Sequence, residues 1–260
     1  VQEDIAPHFT EMLFGAMEEL TLGDPWLLST DIGPVIDHDA EAGIRAHVEE
    51  ARKEGRLLRQ LSRPKGGHFI APAVIRVKGI EDLKREIFGP VLHIATFKAD
   101  DLPKVVASIN ATGYGLTFGL HTRIDNRVQE VCEALAVGNI YVNRNQIGAV
   151  VGSQPFGGEG LSGTGPKAGG PDYLSRFAAN PTRPEAPPAS GAANPDQIRA
   201  ALRVASATSH DALHEEDLPG PTGESNRLSH YARAPFLCLG PGEAASREQA
   251  DIVRSHGGIA

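Results

Sequence analysis

Ile5, Phe9, Met12, Leu13, Ala16, Met17 and Leu20 recur at spacings of three and four, which predicts a helix over about 4–20 with one apolar face. Gly23, Asp24 and Pro25 end it. DHDAEAGIRAHVEEARKEG predicts a second helix, with Asp37 or Asp39 as cap and Gly55 as stop, whose many charges suit an outer layer. HFIAPAVIRV and VLHIATF are short runs rich in β-branched residues and read as buried strands. ADDLPKVVASINAT then predicts a helix with an Asp cap and Pro103 in its first turn. GLTFGLHT, IDNRVQEVCEALAVG and NIYVNR follow as strand, helix and strand. This alternation favours an α/β fold, a layered sheet with flanking helices and right-handed crossovers.

The periodicity stops at Ala178. AANPTRPEAPPASGAANP replaces it with Pro, Ala and small polar residues, a linker composition over 178–196. Beyond it, DQIRAALRVAS and EAASREQADIVRSHGG read as helices and FLCLGPG as a strand entering a Gly-Pro turn. Residues 197–260 are thus expected to open a second α/β unit after a first domain over 1–177.

Composition changes this picture little. Of 260 residues, 40% are hydrophobic and 22% charged, enough apolar content for a sizeable core. The 29 glycines and 19 prolines exceed an ordinary share of about 12%, so loops should be prominent. A net charge of −8 without a long basic run argues against a nucleic-acid partner and for a small ligand. Two distant cysteines without metal-type spacing, and no apolar span of membrane length, suit a reducing, cytoplasmic setting. The first residue, Val1, and an ending just past a helical stretch suggest a piece of a longer chain.

The ordered set REIFGPVLHIATF, NATGYGLTFGLHT, GNIYVNRN and QPFGGEGLSGTGPKAGGP resembles the catalytic half of the NAD-dependent aldehyde dehydrogenase superfamily. With GAVVGSQPFGGEGLSGTGPKAGGPDYL, the resemblance is closest to the L-glutamate γ-semialdehyde dehydrogenase part of the bifunctional proline utilization A enzymes; it covers about 1–177. LPGPTGESNRL and FLCLGPGE resemble, less specifically, the extra C-terminal domain of long members. The resemblance implies that Glu86 accepts hydrogen bonds from the nicotinamide ribose hydroxyls and that Phe88 packs by the nicotinamide ring of NAD. Carboxylate acceptors suit paired hydroxyl donors, at about 1.5–3 kcal/mol per charge-assisted bond. It further implies that backbone N–H groups at Gly148 and Ala149 meet the substrate α-carboxylate, while Phe156 packs on the aliphatic part of the semialdehyde. The glycines of 157–170 are expected to serve backbone geometry and subunit packing in a homo-oligomer. A proline dehydrogenase domain carrying FAD is a possible companion in the full-length chain.

Other motifs fail on context. Gly158, Gly160 and Gly163 satisfy G-x-G-x-x-G, but neither a preceding strand nor a following helix is expected there. His210 and His214 could share a helix face, yet further metal ligands are not in view, so no metal is expected. Cys132 lies on one face with Val128, Val131 and Leu135 and reads as a core thiol; Cys238, in an apolar run, reads similarly. Neither fits the family's nucleophile, which the resemblance places upstream of Val1, so this segment alone is expected to be inactive. The expected function is oxidation of L-glutamate γ-semialdehyde to glutamate with NAD in proline catabolism. A non-catalytic scaffold or oligomerisation module of the same fold, and a dehydrogenase for another aldehyde, remain as alternatives.

Overall fold

A computed structural model describes residues 1–163, 165–177, 194–205, 212–232 and 235–260. The elements in chain order are α1 (Ala6–Glu18), α2 (His38–Lys53), β1 (Leu57–Gln60), β2 (Ala73–Arg76), β3 (Val91–Ile94), α3 (Leu102–Ala111), β4 (Tyr114–Gly115), β5 (Thr117–Leu120), α4 (Asp125–Ala134), β6 (Asn139–Val142), β7 (Glu159–Gly160), α5 (Pro195–Ala205), β8 (Ala212–Leu218), β9 (Asn226–Tyr231) and α6 (Gly242–Ser255). The fold is α/β, with small sheets and flanking helices.

The chain divides into two compact units. The first comprises 1–115, 121–137 and 160–162. Its centre is a three-stranded sheet in the order β1-β2-β3, with β2 antiparallel to β1 and parallel to β3, so that Val74 lies beside Leu92 and Ile75 beside His93. Successive side chains of β2 point to opposite faces. Ala73 and Ile75 pack against Ile44, Val48 and Ala51 of α2, while Val74 meets Met17 of α1 together with Ile94. Two helices therefore cover the two faces, which is why β2 is almost continuously apolar. Val48 of α2 and Val74 and Ile75 of β2 are the largest fully buried side chains among the described residues, each worth about 1.5–3 kcal/mol of burial.

Asp37, rather than Asp39, caps α2: its carboxylate accepts from the Ala40 N–H at 2.8 Å. Asp101 stands at the N-cap of α3 but makes no capping bond; its carboxylate accepts from Lys104 Nζ at 2.6 Å instead, and a 3-10 turn, Ala99–Asp101, leads into the helix. β1 was not expected, because its four residues are half polar and carry no alternation.

The second unit comprises 116–120, 138–159 and 163–260. β5 and β6 pair in parallel, Thr117 beside Asn139 through Leu120 beside Val142, as a sheet of their own. β8 and β9 form an antiparallel hairpin. Two expectations are corrected here. His214 stands on β8, not on a helix, so a shared helical face with His210 does not exist there; His210 itself lies outside the described residues. The FLCLGPG run forms no strand: the Phe236 N–H donates to the Ile259 carbonyl at 2.8 Å, the Ser246 hydroxyl of α6 donates to the Cys238 carbonyl at 2.7 Å and Gln249 of α6 accepts from the Gly240 N–H at 3.2 Å. Most of the expected 178–196 linker lies outside the described residues.

Candidate functional site

Two segments carry the residues singled out in the sequence, one in each unit. In the first unit, residues 86–90 lead into β3 without regular secondary structure of their own. Ile87 turns inward onto the cluster of Ile44, Val48, Ala73 and Ile75, while its neighbours Glu86 and Phe88 are left on the surface. Both are exposed, Phe88 at 83%, and Glu86 has no hydrogen-bond or ion-pair partner among the described residues. An exposed aromatic beside an unpaired carboxylate fits a ligand that offers hydroxyl donors and a flat ring. Gly89 follows because the backbone passes close to α2: a Cβ there would lie 2.5 Å from Ile44 Cδ1. Gly89 and Val91 donate to the carbonyls of Ile87 and Gly89 at 2.9 and 2.7 Å, two tight turns that redirect the chain into the sheet.

In the second unit, residues 145–154 form a loop after β6. Gly148 is exposed and a Cβ on it would meet nothing within 4 Å. Its small size is therefore not demanded by the protein itself. Among the described residues the backbone N–H groups of Gly148 and Ala149 have no acceptor, whereas Ile147 donates to Asn145 Oδ1 at 3.2 Å and Val150 to Gln154 Oε1 at 3.1 Å. Two consecutive free amides between two tied ones can take an anion such as a carboxylate.

Phe156 is fixed from both sides. Asn139, buried on β6, donates from Nδ2 to the Pro155 carbonyl at 2.8 Å and accepts at Oδ1 from the Gly157 N–H at 3.1 Å. Phe156 and Ala168 exchange backbone bonds of 2.9 and 2.8 Å. Lys167 Nζ donates to the carbonyls of Gly138 and Gly157, and burial holds its ammonium below the usual lysine range, with Glu159 acting in the other direction. A Cβ on Gly138 would run into the Gly157 carbonyl oxygen, so this close approach admits only glycine. The Phe156 ring is 38% exposed on a rigid mount.

Asn139, Gln154 and Lys167 were not anticipated. Asn139 alone had a legible signal, a polar residue at an inward position of a strand that also buries Tyr141. Burial, and secondarily Glu133, push the Cys132 thiol up, which disfavours a thiolate. Cys238 is a half-buried free thiol in the tail. Where G-x-G-x-x-G occurs, no helix opens; Leu174–Phe177, a 3-10 turn, is the next helical element. No cluster of three or more metal-ligating side chains occurs among the described residues, and no helix among them is long and apolar enough to cross a membrane.

The aldehyde dehydrogenase family model matches residues 1–181. The chain belongs to that family. The bifunctional protein PutA of Escherichia coli (strain K12) is 42% identical over 99% of this chain and 22% of its own length. A crystal structure of Bradyrhizobium japonicum proline utilization A (PutA) superposes with a TM-score of 0.66 at 50% identity, over 69% of this chain and 18% of that one. A 1-pyrroline-5-carboxylate dehydrogenase from Thermus with bound NAD gives 0.61 at 36% identity, over 68% and 34%. The chain thus spans about a fifth of the length of the first of these relatives.

Proposed function

We propose that the chain is the C-terminal part of an NAD-dependent L-glutamate γ-semialdehyde (1-pyrroline-5-carboxylate) dehydrogenase of proline catabolism, a cytoplasmic homo-oligomer within a longer bifunctional protein. Residues 1–177 carry the dehydrogenase half and 197–260 begin an appended α/β segment. The observation that carries the substrate reading is the pair of amides at Gly148 and Ala149 without an acceptor among the described residues, in the same unit as a fixed, half-exposed aromatic, Phe156. A substrate with a carboxylate at one end and an aliphatic chain behind it suits that pair of features. Similarity to 1-pyrroline-5-carboxylate dehydrogenase supports the same substrate.

On the cofactor side, Glu86 receives the ribose hydroxyls and Phe88 offers its ring to the nicotinamide. NAD, when bound, takes the hydride that leaves the aldehyde carbon as it is oxidised to the acid level. The residues of this chain orient the two reactants. The attacking thiolate comes from outside the 260 residues, since burial raises the Cys132 thiol and the half-buried Cys238 lies in the tail. FAD belongs to a proline dehydrogenase domain elsewhere in the longer protein, a reading supported by the bifunctional relatives.

Gly148→Val in the full-length protein tests the substrate reading cleanly, because open space and an ordinary φ at Gly148 let the fold accept the side chain. KM for the α-carboxylated semialdehyde should rise at least about tenfold, the loss of about one charge-assisted hydrogen bond, while a simple aliphatic aldehyde is turned over as before. Unaltered kinetics with the carboxylated substrate would remove the anchor; equal turnover of both aldehydes by the unsubstituted protein would point to another aldehyde as substrate.

A further inference from the structure

The carboxylate of Glu224, in the turn between β8 and β9, stands where both ends of the 145–154 loop converge. Its Oε2 accepts from Arg144 Nη1 at 3.1 Å, at the residue just before the loop. Its Oε1 accepts from Gln154 Nε2 at 3.0 Å, at the loop's last residue. These partners lie 80 and 70 positions earlier in the chain. Asn226 adds a third donor, Nδ2, at 3.0 Å to Oε1, and its own Oδ1 lies 3.4 Å from Gln154 Nε2.

This is not a loose surface ion pair. Arg144 and Glu224 are each 29% exposed, and Gln154 is buried at 8%. Gln154 uses both ends of its amide: Oε1 holds the Val150 N–H while Nε2 reaches Glu224. Arg144 also lies over the Tyr141 ring at 5.4 Å, which fixes its guanidinium. A half-buried carboxylate with three donors is strongly ordered. Without it, Gln154 Nε2 keeps only its longer bond to Asn226, and Arg144 loses its carboxylate partner. The tail would then hold the loop at one end only, through one long bond, and the free amides of Gly148 and Ala149 would sample more orientations.

We infer that Glu224 is a positioning residue: the tail hairpin, through this one carboxylate, clasps both ends of the loop and so sets its affinity for carboxylated aldehydes. The inference rests on the assignment of Gly148 and Ala149 as the carboxylate anchor. It gives a segment outside the aldehyde dehydrogenase match a direct part in substrate selection.

The test is Glu224→Ala in the full-length protein, with Gly148→Val assayed beside it. Glu224→Ala should raise KM for the α-carboxylated semialdehyde about tenfold, equivalent to about 1.4 kcal/mol. The effect should fall on KM rather than kcat, with KM for NAD unmoved. Glu224→Gln, which keeps one acceptor oxygen, should recover part of the loss. If Glu224→Ala does not accumulate as folded protein, Glu224→Gln alone should show a rise of about threefold. A KM within error of the unsubstituted protein in the folded variants overturns the clasp, and so does an equal loss for carboxylated and uncarboxylated aldehydes. Normal kinetics in Gly148→Val would sink the anchor itself; a defect there with normal Glu224 variants would sink only the clasp.

Discussion

The segment 86–90 and the loop 145–154 present ligand-directed groups by opposite means. In the first, a single apolar side chain, Ile87, is driven against the sheet core, and its neighbours Glu86 and Phe88 are left exposed. In the second, the loop's large apolar side chains, Ile147, Val150 and Val151, are exposed, and Asn145, Gln154, Arg144 and Glu224 hold it by directed polar bonds. Apolar anchoring is non-directional and local, so it can be written in five consecutive residues. Polar anchoring demands partners at fixed distance and angle, and these come from far along the chain.

The contrast is broken most severely at Gly138, on which the mount of Phe156 depends. Gly138→Ala places a methyl against the Gly157 carbonyl, a backbone atom that cannot rotate away. Overpacking of this kind costs about 3 kcal/mol. Semialdehyde turnover should be lost along with several degrees of thermal midpoint. Retention of both would mean that the Gly138–Gly157 approach does not constrain Phe156.

A smaller effect is expected from Ile87→Ala. Truncating this partly buried side chain costs about 2 kcal/mol, and KM for NAD should rise because Glu86 and Phe88 lose their mount. Glu86→Gln separates the two contributions, since Glu86 is exposed and unpaired: NAD binding should weaken about tenfold with stability unaltered. The comparison fails if Ile87→Ala destabilises the protein and leaves NAD kinetics alone, for then the inward anchor and the outward pair are independent.

The same division explains what could be read from the sequence. α1, α2, α3 and α4, with β2, β3, β5 and β6, were legible because buried faces repeat at 3.6 or are continuously apolar. The roles expected of Glu86 and Phe88 came instead from the resemblance carried by a motif of adjacent residues, REIFGPVLHI. β8 was not: its middle residues, His214 to Asp217, are all exposed, so neither face carries an apolar alternation, and two histidines four apart imitate a helix. Glu224 left no trace, since a carboxylate in a Gly-Pro-rich turn looks solvated until the fold brings Arg144 and Gln154 to it. Gln154 reads as an ordinary polar loop residue for the same reason.

The mildest test concerns pH, and it applies to the apolar side of the comparison alone. His47 of α2 and His93 of β3 meet at Nε2 with 2.8 Å between them, beside the helix and strand that seat Ile87. Burial lowers both, first in each case; for His47, Arg56 and Arg85 lower it further and Glu50 opposes them, and for His93, His47 and Arg56 add to the effect. A histidine lowered in the folded state binds fewer protons there than in the unfolded chain, so stability rises with pH across that interval. The contribution is complete above the ordinary histidine value of about 6.5 and fades as pH falls through the lowered folded value. Water screens these half-buried rings, which keeps the effect to about 1–2 °C of thermal midpoint between pH 7 and 5.5. His93→Gln should flatten that slope, and KM for NAD should lose the same pH dependence. An identical slope in His93→Gln would place the titrating group elsewhere and leave the seat of Ile87 indifferent to pH.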